Sequence, residues 1–523
     1  MTQSDNMEVS AKGRGGASSR ADSCRNPDAS GPHRRSSWRH AMNEYLQAER
    51  ERLLRHADAI HLFGKLTLMC CTMLGSLLLA TVTAAKPPNV VLILADDMAI
   101  GDLSSINGGI SKTPRLDALA SESLIFTNAY AGAPVCAPSR AAFLTGRYPH
   151  RTGSVTLNQE KHPQLTRIRL DETLVAERFQ ANGYATGIVG KWHSGPGKDY
   201  EPRRRGFDEA VVFHDATEVK TYYRYQLDRN GTVRHYHDEG YLTDVLTEHA
   251  IDFVRRHHQR PFFLHLAHYA PHRPLSAAAD LVDTYRARGL DEKIAKVYAM
   301  IEVMDTGIGA FLDELDALGL RENTLVIFAS DNGPDPLVGP RWNLPYRGTK
   351  YTVNEGGIRV PLFVCWPGTV QPGTRAEPVH FIDLVPSLIE ICELQRGPVG
   401  LPLDGVSFAG MLSHRFPHSA QPVRRYWQWN RVEPDSTHNA AVREGDWKLV
   451  KPFVTSGEPK APSDLAYRLY KLSDDPGEHV DLSHEYPELV ERLSRHYTVW
   501  FRDVEADRTR APASREGGVG TGR

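Results

Sequence analysis

The sequence predicts an α/β protein: a large, mainly parallel sheet flanked by helices, followed by a smaller C-terminal α+β domain with an antiparallel sheet. Three observations carry this. Short apolar runs rich in β-branched residues and leucine recur between residues 89 and 329, as expected of strands buried on both faces. Helix-patterned stretches separate successive runs, the alternation that builds a parallel sheet. Beyond residue 412 the pattern changes to short strands at hairpin spacing.

Residues 1–65 read as a disordered leader, or as an artefact of an early start codon with translation beginning at Met42. Up to about residue 40 they are rich in Ser, Arg, Gly and Asn without apolar periodicity. Residues 43–57 carry the charge-and-leucine pattern of a surface helix. Residues 66–82 are almost wholly apolar, preceded by Lys65 and followed by Thr83-Ala84-Ala85. That is the layout of a secretory signal, so 66–85 is assigned as a signal peptide cut near Ala85–Lys86. An uncleaved anchor is the alternative, because the run reaches the lower limit for spanning a bilayer. Membrane contact is expected only in that case. On either reading the rest of the chain is exported, to a periplasm or to the exterior.

The large domain is expected over residues 86–412. Its first run, 89–95, leads into Asp96-Asp97. Residues 185–189 lead into Gly190-Lys191-Trp192-His193, and 262–266 into His268 and Pro271-His272. Residues 324–329 end in Ser330-Asp331-Asn332-Gly333. Helical stretches are 113–121, 174–182, 241–257 and 293–318. Ligands of parallel sheets bind at the carboxyl ends of the strands. Four strands thus bring carboxylates, an amide, a lysine and histidines to one edge. Spacers rich in Pro and Gly, 368–373 and 397–402, mark the approach to the smaller domain, 413–506. Its strands are 426–429, 440–442, 447–450 and 468–471, closed by a helix over 488–504. Residues 507–523 form a polar, flexible tail.

Composition narrows the function. At 523 residues the chain is too long for one ordinary domain, and 41% hydrophobic with 24% charged residues is normal for a globular protein. A net charge of −2 argues against electrostatic capture of nucleic acid or an anionic membrane, so an anionic substrate must be drawn by local charge. Of six cysteines, Cys24, Cys70 and Cys71 lie at or before the apolar segment, leaving Cys136, Cys365 and Cys392. This is neither a disulfide scaffold nor a Cys-x-x-Cys metal site. Cys365 and Cys392 stand as either a pair or two buried thiols.

The most informative stretch runs from Cys136 to Arg147, Cys-Ala-Pro-Ser-Arg-Ala-Ala-Phe-Leu-Thr-Gly-Arg. Pro138 suits the first turn of a helix and Gly146 its left-handed end. Cys136 then sits at the positive end of the helix dipole beside Arg140, a setting that favours an anion. An oxygen-only set, Asp96, Asp97, Asp331 and Asn332, suits a hard divalent cation: calcium first, magnesium second.

The Cys136–Arg147 stretch closely resembles the signature of type I sulfatases, within the alkaline-phosphatase-like superfamily. Further matches are Gly190-Lys191-Trp192-His193, Ala270-Pro271-His272-Arg273-Pro274, and Arg347-Gly348-Thr349-Lys350 ahead of Glu355-Gly356-Gly357. Leu469-Tyr470-Lys471-Leu472 with Asp475-Pro476-Gly477-Glu478 resembles the family's closing motif. The resemblance spans residues 89–482. Three positions depart from the usual pattern: Ser194 for leucine, Tyr351 for glycine and Lys471 for aspartate.

The resemblance implies a sulfuric ester hydrolase of arylsulfatase type. Cys136 would be converted to 3-oxoalanine (formylglycine) by a separate maturation enzyme, and one calcium ion (Ca2+) would be held by Asp96, Asp97, Asp331, Asn332 and residue 136. Its hydrated aldehyde would attack sulfur, with Arg140, Lys191 and Lys350 stabilising the sulfuryl oxygens. His272 would protonate the leaving alcohol, in preference to His268, and His193 would act as base in regenerating the aldehyde. Glu355 and Arg359 are read as structural partners. A phosphonate or phosphate ester hydrolase of the same superfamily, and a catalytically silent sulfate-binding homologue, remain as alternatives. A sulfated carbohydrate is the expected substrate, because residues 214–240 offer tyrosines, histidines and arginines to line a sugar pocket.

Overall fold

Asn-Val-Val-Leu-Ile-Leu-Ala forms strand β1 (Asn89–Ala95), every residue of it buried. Its side chains alternate between two cores: Val90, Leu92 and Leu94 pack into one and Val91, Ile93 and Ala95 into the other. Burial on both faces is why the run is unbroken rather than alternating. β1 lies at the heart of an 11-stranded sheet. Its other central members are β2 (Ala185–Lys191), β3 (Glu209–Phe213), β4 (Phe262–Ala267) and β5 (Thr324–Ser330). They run in the order β5-β1-β4-β2-β3, all parallel to their neighbours.

The structure, a computed structural model, describes residues 35–78, 86–157, 161–343, 345–395, 397, 400–413, 423–453 and 465–510. It divides into two units, 1–85 and 86–523. In the first, one helix, Arg35–Leu78, begins earlier than the leader reading allows and continues into the apolar segment. Residues 35–63 contain neither proline nor glycine and are rich in Glu, Arg, Leu and Ala, so nothing interrupts them. The unstructured reading up to about residue 40 is corrected from Arg35 onward, while the helix expected over 43–57 lies within this one; residues 1–34 and the cleavage site before Lys86 lie outside the described residues. No helix among the described residues is long and apolar enough to cross a membrane.

In the second unit, antiparallel strands extend both edges of the parallel centre. Leu362–Cys365 pairs with β5, then with Leu124–Phe126, to which Gly373–Arg375 adds in parallel. On the far side Arg224–Arg229 pairs with β3 and with both Val219–Thr221 and Thr232–His237. Here the 214–240 expectation is corrected: Tyr222, Tyr225 and Tyr236 are buried in the core, and Tyr225 stacks on Tyr236 at 4.6 Å. Period-two burial along Arg224–Arg229 turns Tyr225 inward, where Tyr236 of the paired strand meets it. Cys365 and Cys392 are free, buried thiols, so the pair is not formed.

A four-stranded antiparallel sheet, Arg425–Gln428, Ala440–Glu444, Trp447–Lys451 and Arg468–Lys471, follows in sequence. Helix Pro487–Thr509 covers it, with Trp500 stacked on Tyr426 at 5.0 Å. Trp427, Ala441 and Val450 of this sheet pack against Tyr130, Val353 and Ile358, while its Ala440, Val442, Leu449 and Leu469 join the core that also holds Val90, Leu92 and Leu94 of β1.

Candidate active site

The parallel register fixes the site. Ala95 pairs with Ser330, so Asp96 and Asp331 leave adjacent strands side by side. Gly190 pairs with Ala267, which sets Lys191 at the end of β2 beside the end of β4. Only glycine fits there: a Cβ at Gly190 would stand 1.9 Å from the Ala267 carbonyl oxygen, and its φ is 113°. Helix Cys136–Thr145 points its N-terminus at this edge and ends at Gly146, which is left-handed as expected.

Cys136 is buried, its thiol donating to Asp96 Oδ1 at 3.4 Å with Lys350 Nζ 3.3 Å from Sγ. Burial, joined by the charges of Asp331 and Asp96, pushes the thiol well above its ordinary value despite Lys191 and Lys350. The Arg140 guanidinium serves carboxylates, with Nε 3.0 Å from Asp331 Oδ2 and a terminal nitrogen 3.2 Å from Asp96 Oδ2. An unaltered Cys136 is a neutral thiol.

Two lysines meet the aspartate pair. Lys191 Nζ donates to Asp96 Oδ2 at 2.5 Å, and Lys350 Nζ donates to both oxygens of Asp97 at 2.7 and 2.8 Å. Burial opposes charge on Asp96, but Lys191 foremost outweighs it and holds the carboxyl well below the usual range. Asp331 behaves oppositely: burial, with Asp96 beside it, pushes it up to about 6. Asp331 Oδ1 accepts from the Asp97 amide at 3.2 Å, and Asn332 Nδ2 donates to Asp97 Oδ1 at 2.7 Å.

Two histidines face the same cavity, of about 240 Å³, which is lined also by Cys136, Lys191, Lys350 and Tyr351. His272 Nδ1 donates to the Arg273 carbonyl at 2.5 Å, leaving Nε2 toward Asp97 Oδ2 at 3.6 Å. Burial lowers its pKa to about 4. His193 Nε2 donates to the Leu157 carbonyl at 3.1 Å, and its buried Nδ1 has no partner among the described residues. Burial, reinforced by Lys191 and Arg140, holds His193 well below its ordinary value. His268 is fully buried and does not line the cavity.

Ligand atoms of Asp96, Asp97, Cys136 and His272 all lie within 4.8 Å of one another, a grouping able to hold a metal ion. Asn332 Oδ1 is buried and accepts no hydrogen bond from the described residues. Hard carboxylate oxygens with an orphaned amide oxygen beside them fit a hard divalent cation. The cluster thus brings together Asp96, Asp97 and Cys136 as expected and adds His272. Asp331 and Asn332 stand alongside through their bonds to Asp97.

The Sulfatase family model matches residues 88–393, more than half of the chain. This chain belongs to the sulfatase family. A second model, the C-terminal part of N-sulphoglucosamine sulphohydrolase, matches residues 349–499 of this sulfatase. It is 30% identical to N-acetylgalactosamine-6-sulfatase of Mus musculus over 81% of its own length and 87% of that protein. It is 31% identical to arylsulfatase A of Homo sapiens, covering 77% and 85%. The crystal structure of Ps i-CgsB in complex with k-i-k-neocarrahexaose is similar, with a TM-score of 0.68 at 28% identity, over 82% of this chain and 96% of that one. The chain is accordingly a sulfuric ester hydrolase.

Leu157 lines the cavity and escaped sequence reasoning; of the expected 214–240 segment only Asp215–Thr217 lines it, through none of its tyrosines, histidines or arginines, and Arg273 joins it from the Ala270–Pro274 motif. Leu157 carries no signal of residue type. Tyr351 was visible only as a departure; its φ of 82° keeps the glycine-type backbone, so Lys350 still reaches the cluster. Glu355 and Arg359 pair at 3.2 Å, as structural partners should.

Proposed function

We propose that this sulfatase cleaves sulfate esters of carbohydrates, with residue 136 converted from cysteine to 3-oxoalanine by a maturation enzyme and with one calcium ion, magnesium being second choice. The observation that carries this reading is the placement of Cys136: a buried thiol beside Asp96 and Lys350, lining the same cavity as Lys191, His193 and His272. Such a thiol is a poor nucleophile as it stands. A hydrated aldehyde there supplies two hydroxyls on one carbon, a nucleophile together with its own means of release.

Asp96, Asp97, Asp331, Asn332 and residue 136 would hold the cation. When bound, it would add positive charge to a cluster whose three carboxylates and three cations otherwise balance. Arg140, Lys191 and Lys350 orient the sulfuryl oxygens and stabilise charge that grows on them. His193 is set up as a base: its Nε2 proton is committed to Leu157, so Nδ1 offers a bare lone pair to a hydroxyl at residue 136. His272 commits its Nδ1 proton to Arg273, so Nε2 is the atom that passes a proton to the leaving oxygen. The negative charge of a bound sulfate ester raises its affinity for that proton.

The carbohydrate assignment is supported by the relatives named for amino-sugar sulfates and by the neighbour solved with an oligosaccharide. Export is proposed from the apolar 66–82 segment with its small-residue end, and the second unit begins at Lys86, where cleavage would leave it. Peptide mass spectrometry of active protein tests the centre of the reading. An aldehyde-bearing residue 136 is expected; a plain thiol in fully active material would refute it.

A further inference from the structure

Tyr351 occupies left-handed backbone, φ 82°, that an aromatic side chain rarely adopts. Such strain persists only where the surroundings enforce it, and it gathers at ligand sites. The enforcing contacts are all to backbone. The Tyr351 amide donates to the Pro134 carbonyl at 2.8 Å, and Asn439 Nδ2 donates to the Tyr351 carbonyl at 2.7 Å. The Val353 amide donates to Asn439 Oδ1 at 3.0 Å. None of these bonds involves the ring, and all would hold a glycine equally well. The ring is therefore not what keeps the loop in shape.

The ring instead forms part of the cavity wall alongside Cys136, Lys350 and His272. Buried Trp429 backs it at 5.7 Å, and two cations lie over the ring, the exposed Arg431 guanidinium at 5.7 Å and Lys350 Nζ at 5.9 Å from its centroid. A half-buried aromatic ring flanked by cations and lining the cavity beside Cys136 matches a sugar ring that is apolar on one face and carries an anionic group at its edge. We infer that Tyr351 is a specificity-determining residue: its ring is the platform for the apolar face of the pyranose that carries the scissile sulfate. This rests on the carbohydrate-sulfate reading above.

Steady-state kinetics on N-acetylgalactosamine 6-sulfate and glucosamine 6-sulfate test it, using wild type, Tyr351→Gly, Tyr351→Leu and Tyr351→Phe. On the better sugar, Gly and Leu are expected to raise KM by about tenfold, the size of one aromatic contact, with kcat changed by no more than about twofold. Phe is expected to keep KM within about twofold of wild type. The inference is overturned if Leu restores KM, since bulk rather than an aromatic face would then matter, or if Gly leaves KM unchanged. A fall in kcat and thermal midpoint together with the KM change also overturns it, by showing a structural role. Wild type that hydrolyses an aryl sulfate but neither sugar refutes the carbohydrate reading before any variant is compared, and the platform with it.

Discussion

Lys448 Nζ lies 2.8 Å from Glu355 Oε1, with both side chains fully buried. The lysine belongs to the small sheet and the glutamate to the segment that follows Lys350. Glu478 adds a second contact to the same ammonium at 3.0 Å, and Tyr130 and Arg359 also bind Glu355. The small sheet thus reaches into the loop that delivers Lys350 to Asp97.

Removing that ammonium leaves two carboxylates buried without their shared partner. Lys448→Met is expected to destabilise the protein by about 3–5 kcal/mol in denaturant unfolding. Adding Glu355→Gln should recover part of the loss, because the groups act as a unit. A single-variant loss below about 1 kcal/mol would contradict the network's place in the fold.

Acid should weaken the fold through histidines that are buried uncharged. His150 bonds to Gln428 at 2.7 Å, and burial lowers its pKa to about 4. Between the unfolded value near 6.5 and about 4, the unfolded chain binds a proton that the native state refuses. Stability present above that window is therefore lost as the pH falls through it, by up to about 1.4 kcal/mol per pH unit from this residue. His150→Gln should flatten the slope of unfolding free energy between pH 6.5 and 4 by that amount. Curves that stay parallel would rule the histidine out.

Cys136→Ala is expected to lower kcat for sulfate ester hydrolysis on the order of a thousandfold or more, with the thermal midpoint little changed. Cys136→Ser should fail similarly, having one hydroxyl where the proposed chemistry needs two. Lys350→Met should cost about a hundredfold or more in kcat by removing one charge from the sulfuryl oxygens. Wild-type rates in the serine variant would dispose of the proposed nucleophile.

Chelation tests the cation. Dialysis against a calcium chelator should abolish turnover and lower the thermal midpoint, because an ion bound only by the native state stabilises it by mass action. Returning calcium should restore both, and magnesium less well, since it demands a stricter shell. Activity that survives with no metal detectable by elemental analysis would count against the site.

The centre of the fold was legible because β1, β2, β4 and β5 are buried on both faces and advertise themselves as unbroken apolar runs. Their polar ends gave Asp96, Asp97, Lys191, His272 and Asp331 together. The edge strands were not read, since their half-buried pattern mixes Tyr225 and Tyr236 with charged neighbours. A signal did exist: Asn230-Gly231, both at positive φ, is a two-residue hairpin turn between Arg224–Arg229 and Thr232–His237. The cavity walls at Leu157 and Thr217 were out of reach, because they are ordinary residues made relevant by tertiary proximity.

The burial of Cys136 sets an order of events. Its helix is buried along its whole length, and the thiol lies beneath a narrow cavity fenced by lysines and histidines. No second enzyme can grip that peptide once the strands have closed around it. The conversion proposed for residue 136 would therefore have to come while the polypeptide is still open, and the yield of working enzyme would depend on a race between maturation and folding.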